Sequence, residues 1–327
     1  MLVSNGTNLK HFVMVGFPGL SSVYFGPVSV LLLFVFLAII VGNAFTVAVI
    51  YLIKSLHKPT YIIFVNLAMT DIIFAIVTLP KVISRYWWDD TLTLFGTCFT
   101  QMYFVHSMGS ITSLILLLMA LDRFIAVWFP LRYPTVVNNR SISIACFLCW
   151  CLTFIRMVGV VSHALTLPYC GIHGNIIPHC YCDHLSITQL GCGNEVKYVK
   201  VVSLGIALFG LLMPLAFIIF SYFSVIVAVI KMSQAESRYR VLSTCAPQIF
   251  ITCLYYVPRC FVYIAHNLGL KIGQEIQVVI VMLYSFVPAI VNPLIYCFKT
   301  KDIKDALSQR LKRRRTYMGC RHKSTHI

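Results

Sequence analysis

Charge is what this chain has least of. Of 327 residues only 11% are charged and only 10 are Asp or Glu, against a hydrophobic share of 59% and a mean hydropathy of +0.85. A chain of that size needs more polar surface to stay dissolved, so the scarcity excludes a soluble globular protein and predicts a polytopic membrane one. Internal repeats are also missing, which weighs against a transporter assembled from duplicated halves. The opening 26 residues lack a charged stretch leading a short apolar core, so no cleaved signal peptide is expected and the first span serves as the anchor. Beyond one loop cluster, no nucleophile–base pair or metal-ligand triad stands out, and an enzyme is not expected.

What is present is seven apolar runs, each long enough to cross a bilayer at about 20 residues per crossing. They run from about Pro27 to Ile53, Tyr61 to Ile83, Thr97 to Phe129, Ser141 to Leu165, Tyr198 to Lys231, Tyr239 to Asn267 and Ile272 to Phe298. The predicted fold class is an all-α membrane protein. Its parts are an N-terminus (1–26), a seven-transmembrane helix bundle (27–298) and a tail (299–327).

Most Lys and Arg fall on one side of these spans: Lys54, Lys58, Arg123, Arg132, Arg140, Lys231, Arg238, Arg240 and the tail from Lys299. By the positive-inside rule that side is cytoplasmic. An odd number of spans then puts the N-terminus outside, where Asn5-Gly6-Thr7 is a glycosylation sequon. Asn139-Arg140-Ser141 is a second sequon, discounted because it falls inside. The net charge of +16 is therefore topology and tail, not a nucleic-acid surface. In the tail, Phe298, Ile303, Ala306, Leu307 and Leu311 recur at helical spacing among basic residues, predicting a short amphipathic helix under the membrane. The KRRR run at 312 to 315 would lie near anionic lipid.

Ionisable and special residues inside the spans are costly in hydrocarbon and so informative. They are Asn43, Asp71, the adjacent Asp122-Arg123, Trp150, Pro214, Tyr222, Pro258, and Asn292, Pro293 and Tyr296 in NPLIY. In this order they resemble the rhodopsin-like G-protein-coupled receptors. LHKPTYIIFVNLAMTD, MALDRFIAVWFPLRYP, SY at 221 to 222, RVLSTCAPQ at 240 to 248 and PAIVNPLIY resemble, more narrowly, the odorant receptors. HCYCDH, HKPTY and TQMYFVH are similar to the fish-like, class I branch. The likeness runs from about Pro18 to Leu307.

The resemblance implies an odorant-activated receptor of the plasma membrane, in olfactory cilia, working through a stimulatory G protein and cyclic AMP. Asp122 ties back Arg123 as a latch facing that G protein; Tyr222 and Tyr296 bridge the opened bundle, and Arg240 opens the motif on the same side. Pro258 and Pro293 interrupt the helix ladder where bends are needed. Asn43, Asp71 and Asn292 stand where the family often holds sodium, but the second acid of that site is replaced here by Thr112. The alternative is a buried acid bonded to both asparagines.

Among 13 cysteines, the family pattern pairs Cys98 with Cys182 and Cys170 with Cys192. A Cys98–Cys180 pairing stays open, since connectivity does not follow from sequence. His179, Cys180, Cys182 and His184 also read as a metal cluster, although disulfides would consume its key ligands.

Two intramembrane arginines carry the ligand question. Tyr255, Tyr256, Arg259 and Tyr263 share a helical face in the sixth span, and Arg156 sits in mid-fourth. Asp71 and Asp122 are acids within spans, both toward the cytoplasmic half, and Glu275 lies at the outer start of the seventh run. A guanidinium grips a carboxylate in bidentate fashion, so the preferred ligand is a small water-soluble acid or other anion at Arg259. Relatives often carry His-Arg near the outer end of the sixth span, where this chain has His266-Asn267.

Bonding to tyrosines or water is the bland reading for Arg259; snorkelling or backbone contact is that for Arg156. Further pocket candidates are Met102, Val105, His106, Gly109, Ser110, His184, Ser203, Ile206, Ala207, Gly210 and Met282, with Tyr256 at the floor. The polar residues read as an outer pocket and an inner switch separated by apolar turns, unlike a channel or transporter, the rival of a different class. A rival within the class is a receptor for an amine, peptide or internal metabolite.

Overall fold

The computed structural model describes residues 10–170, 175–193, 195–267, 270 and 273–299. The long apolar runs can satisfy their backbone groups in a membrane only within each segment, and they form helices. Among the described residues, seven helices are long and apolar enough to cross a membrane. Span 1 is Phe25–Leu52, span 2 Pro59–Trp87, span 3 Phe95–Trp128 and span 4 Asn139–Leu165. Span 5 is Glu195–Lys231, span 6 Ala235–Asn267 and span 7 Gln274–Lys299. Each predicted run is found, usually extended by a few residues into polar flanks. Span 4 begins where Asn138 accepts from the Ser141 N–H while the Ser141 hydroxyl accepts from the Asn138 N–H. This reciprocal cap ties up orphan donors at the helix start. Asn139, of the discounted sequon, donates to the carbonyl of His57 (3.1 Å), so its amide braces the loop between spans 1 and 2.

The apolar residues divide between two duties. Large side chains such as Phe34, Phe209 and Phe220 face outward, as lipid contact requires. Ile63, Leu67, Ile111, Ile115 and Ile218 interlock in a central core. Indole N–H groups tie helices together: Trp150 donates to Asn66 (3.0 Å) and Trp128 to the carbonyl of Ser224 (3.1 Å).

The end of the bundle carrying the disulfides is covered, and here the structure adds what the sequence did not suggest. Residues His11–Met14 form strand β1, paired antiparallel with β2 (Leu92–Leu94) and parallel with β3 (Ile176–Ile177), giving sheet order β2-β1-β3. Phe12 and Met14 are fully buried beneath it with Cys98, Phe99 and Tyr169. Part of the segment 1–26 is therefore built into the bundle.

Candidate functional site

At the Arg123 end, the latch has more parts than its two adjacent residues. Arg123 Nε donates to Asp122 Oδ2 at 2.9 Å, and its Nη2 donates to Asp122 and to Thr60 Oγ1 (3.1 Å). Tyr133 donates to Asp122 Oδ1 (2.8 Å) and Thr60 to Oδ2 (3.3 Å). The Asp122 side chain is fully buried, so both its oxygens are satisfied by spans 2 and 3 and the loop after span 3. Thr60 and Tyr133 stand in the LHKPTY and PLRYP stretches, where nothing in the sequence alone marks them as parts of the latch. Tyr222 donates to Gln248 of span 6 (3.5 Å). Arg240 is exposed at the same end. The Tyr296 side chain, the tail beyond 299 and Asn5 lie outside the described residues.

In mid-bundle, Asn292 donates to Asp71 Oδ2 (2.8 Å) while its own Oδ1 is buried without a partner. Asn43 does not join them. It donates to the carbonyls of Ile39 (3.0 Å) and Ala289 (2.9 Å), tying span 1 to span 7. Thr112 spends its hydroxyl on Thr70 (3.3 Å). A cation here would thus meet one carboxylate and the orphan Asn292 oxygen, a sparser set than Asn43, Asp71 and Asn292 together.

The cavity beside Asp71 corrects the expected separation of pocket from switch. About 30 Å³ in volume, it is lined by Asp71, Thr112 and Asn292 at one end and by Gly109, Tyr255, Arg259 and Tyr284 at the other. That is roughly twice what a single water needs, room for a carboxylate head group. Arg259 lies over the rings of Tyr255 (4.3 Å) and Tyr284 (4.8 Å), and its Nη1 donates to the Tyr255 hydroxyl at 2.7 Å. Tyr255 in turn donates to the carbonyl of Gly109. A Cβ at Gly109 would stand 3.2 Å from Arg259 Nη1, so this glycine gives the guanidinium its place against span 3. Tyr256 bonds Ser113 within the core, and the Tyr263 side chain lies outside the described residues.

Over this sits the loop between spans 4 and 5. Both family-pattern disulfides form, Cys98–Cys182 and Cys170–Cys192, and Cys180 is a buried free thiol. Gln101 donates to the carbonyl of Val77 (2.8 Å) and accepts from the Cys182 N–H (2.8 Å), fixing the lid to spans 2 and 3. Asp183 meets a histidine group. His106 Nε2 lies 3.4 Å from its Oδ1 and 3.2 Å from the His184 backbone nitrogen, and serves either the carboxylate as donor or that N–H as acceptor, not both at once. Burial works against the Asp183 carboxylate, but the hydrogen bond from His106 and the charges of His106, His179 and His184 prevail and hold it well below the usual carboxylate range. Burial, then the neighbouring His106, pushes His184 down to about 4, and burial lowers His179 as well. Among the described residues, no three His, Cys, Asp or Glu side chains are placed to hold a metal.

The other pocket candidates scatter. Val105 and Met282 pack together under Cys180 and Tyr181, and Met102 packs with the disulfide Cys98–Cys182. Ser203 is buried, Ser110 and Ile206 are half-buried, and Ala207 is exposed on the outside of span 5 rather than turned inward.

The family model for olfactory receptors matches residues 32–314. The chain belongs to the olfactory receptor family. Human olfactory receptor 52N1 is 36% identical over 313 residues, covering 93% of this chain and 94% of that protein. Olfactory receptor 52Z1P, also human, is 36% identical over 296 residues, 89% of this chain and 95% of its own length. Human olfactory receptor 52B2 is 31% identical over 299 residues, 91% of each. The class I branch read from the motifs is consistent with these matches. As an olfactory receptor the chain is an odorant-sensing, G-protein-coupled, multi-pass protein of the plasma membrane, and not an enzyme.

Proposed function

We propose that this olfactory receptor recognises a small water-soluble acid, or another small anion, at Arg259, and signals through a stimulatory, olfactory-type G protein to raise cyclic AMP in sensory cilia. The N-terminus and the lid face outward, and the basic Arg123 end faces the cell. The observation that carries the reading is Arg259 itself, lining the buried cavity between two tyrosine rings and opposite Gly109. A desolvated guanidinium there gains from each carboxylate oxygen it accommodates. Asp71 and Asn292 line the same cavity, the route by which occupancy at Arg259 is felt at Asn292.

The test is cyclic-AMP accumulation in cells expressing the chain with a stimulatory G protein, challenged with short carboxylic acids and their uncharged amides. Acids raise the signal, amides of the same size do not, and Arg259→Ala abolishes the response at unchanged surface expression. Amides or amines acting where acids fail would overturn the anion reading. An ion current that survives Arg123→Ala would favour a channel.

A further inference from the structure

Among the described residues, Arg156 is a charge without a partner. It lies in span 4, nine residues from the Leu165 end, or about 14 Å along the helix, so it is well inside the hydrocarbon. It makes no hydrogen bond or ion pair among the described residues, and its Nε is buried without a partner. It does not snorkel along its own helix. Its guanidinium lies across the backbone of span 5, where a Cβ at Gly210 would come within 2.6 Å of Nη1 and 3.2 Å of Cζ. One turn away on the same face, Thr153 is buried and its hydroxyl also lacks a partner. The flanks of this seam, Leu152, Ile155, Val158 and Phe209, are exposed apolar side chains. On the lid side of Arg156, Gly159 leaves open space where a side chain would stand.

We infer that the seam between spans 4 and 5 is a second binding site, separate from the Arg259 cavity, for the carboxylate of a long-chain acid dissolved in the bilayer. A lone guanidinium at this depth calls for an anion, since an unpaired cation in hydrocarbon is costly, and its neighbours are apolar enough to hold only an alkyl chain beside it. A phosphodiester headgroup stays charged and stays at the interface. A carboxylic acid can cross the interface neutral; on binding, its proton passes out to interfacial water, and the carboxylate is held by two parallel N–H···O bonds from the Arg156 guanidinium, with Thr153 positioned to donate a third. The acyl chain lies along Ile155 and Phe209, in contact with lipid.

The experiment is photolabelling of the full receptor in phosphatidylcholine nanodiscs with a diazirine-bearing C16 carboxylic acid, and with the alcohol of the same chain, followed by mapping of labelled peptides. The acid labels spans 4 and 5 about tenfold more than the alcohol, and Arg156→Gln reduces it to the alcohol's level while Arg156→Lys retains most of it. Gly210→Ala, which displaces only the flexible end of Arg156, lowers the labelling in a receptor whose fold does not depend on removing the charge. Equal labelling by acid and alcohol, or labelling indifferent to Arg156→Gln and Gly210→Ala, overturns the site. So does competition by phosphatidylglycerol as effective as by unlabelled acid, or loss of labelling in Arg259→Ala instead.

Discussion

Arg123 and Arg259 are the same side chain in the same bundle, and their surroundings differ in kind. Arg123 is matched by a full negative charge, Asp122, itself held by Thr60 and Tyr133. Around Arg259 lie two ring faces and a hydroxyl, which stabilise a cation as dipoles and quadrupoles rather than as a charge. A neutralised arginine can keep a resting state in place, because its release costs a pair. One held by dipoles can still take an anion, because a carboxylate adds a charge that the rings do not supply. Position in the membrane does not separate the two roles; the partner does.

The sharpest break in this contrast comes from the frame that both depend on. Cys98→Ser opens a tether joining residues 84 apart, worth about 4–5 kcal/mol by loop closure; surface delivery should be lost, and normal surface staining with normal responses would refute the role of the lid. Asp122→Asn leaves Arg123 buried beside a neutral group, a loss of about 3–5 kcal/mol for a broken buried pair. Basal cyclic AMP should rise or the receptor should become less stable, and a silent, stable variant would remove the latch. Tyr133→Phe takes one hydrogen bond from the same carboxylate, about 1.5–3 kcal/mol, and basal activity should rise in the same direction by less.

The smallest effect concerns the lid. His184 is lowered from 6.5 to about 4, so between those values the unfolded chain binds more protons than the folded one and stability falls as pH falls. The thermal midpoint of purified receptor should drop between pH 7 and pH 5. In His184→Gln part of that slope should vanish, and an unchanged slope would place its origin elsewhere.

Spans and disulfides were legible because membrane physics and a family pattern act on the sequence directly. Apolar length needs no knowledge of neighbours, and seven such runs became seven helices. The Asp122-Arg123 pair was visible for the same reason, being adjacent in the chain. Thr60, Tyr133 and Gln101 were not, because each earns its role from a partner that only packing brings near. The strand His11–Met14 has no signal in the mixed polar and apolar opening segment, since a strand of four residues has meaning only beside β2 and β3. Family position puts Asn43 beside Asp71, yet a carbonyl on span 7 takes its amide. The continuity of the cavity from Asp71 to Arg259 was hidden too: helical faces can be read from spacing, but the gap between helices depends on side chains that meet from four of them.

The most direct test of the contrast is a charge series at Arg259 read by the concentration of a short acid giving half-maximal cyclic AMP. Arg259→Lys keeps the charge but loses the fork and should shift that concentration up about tenfold, a difference of about 1.4 kcal/mol; Arg259→Gln should abolish the response with basal signal unchanged. A Gln variant that answers acids as the native receptor does would contradict the account.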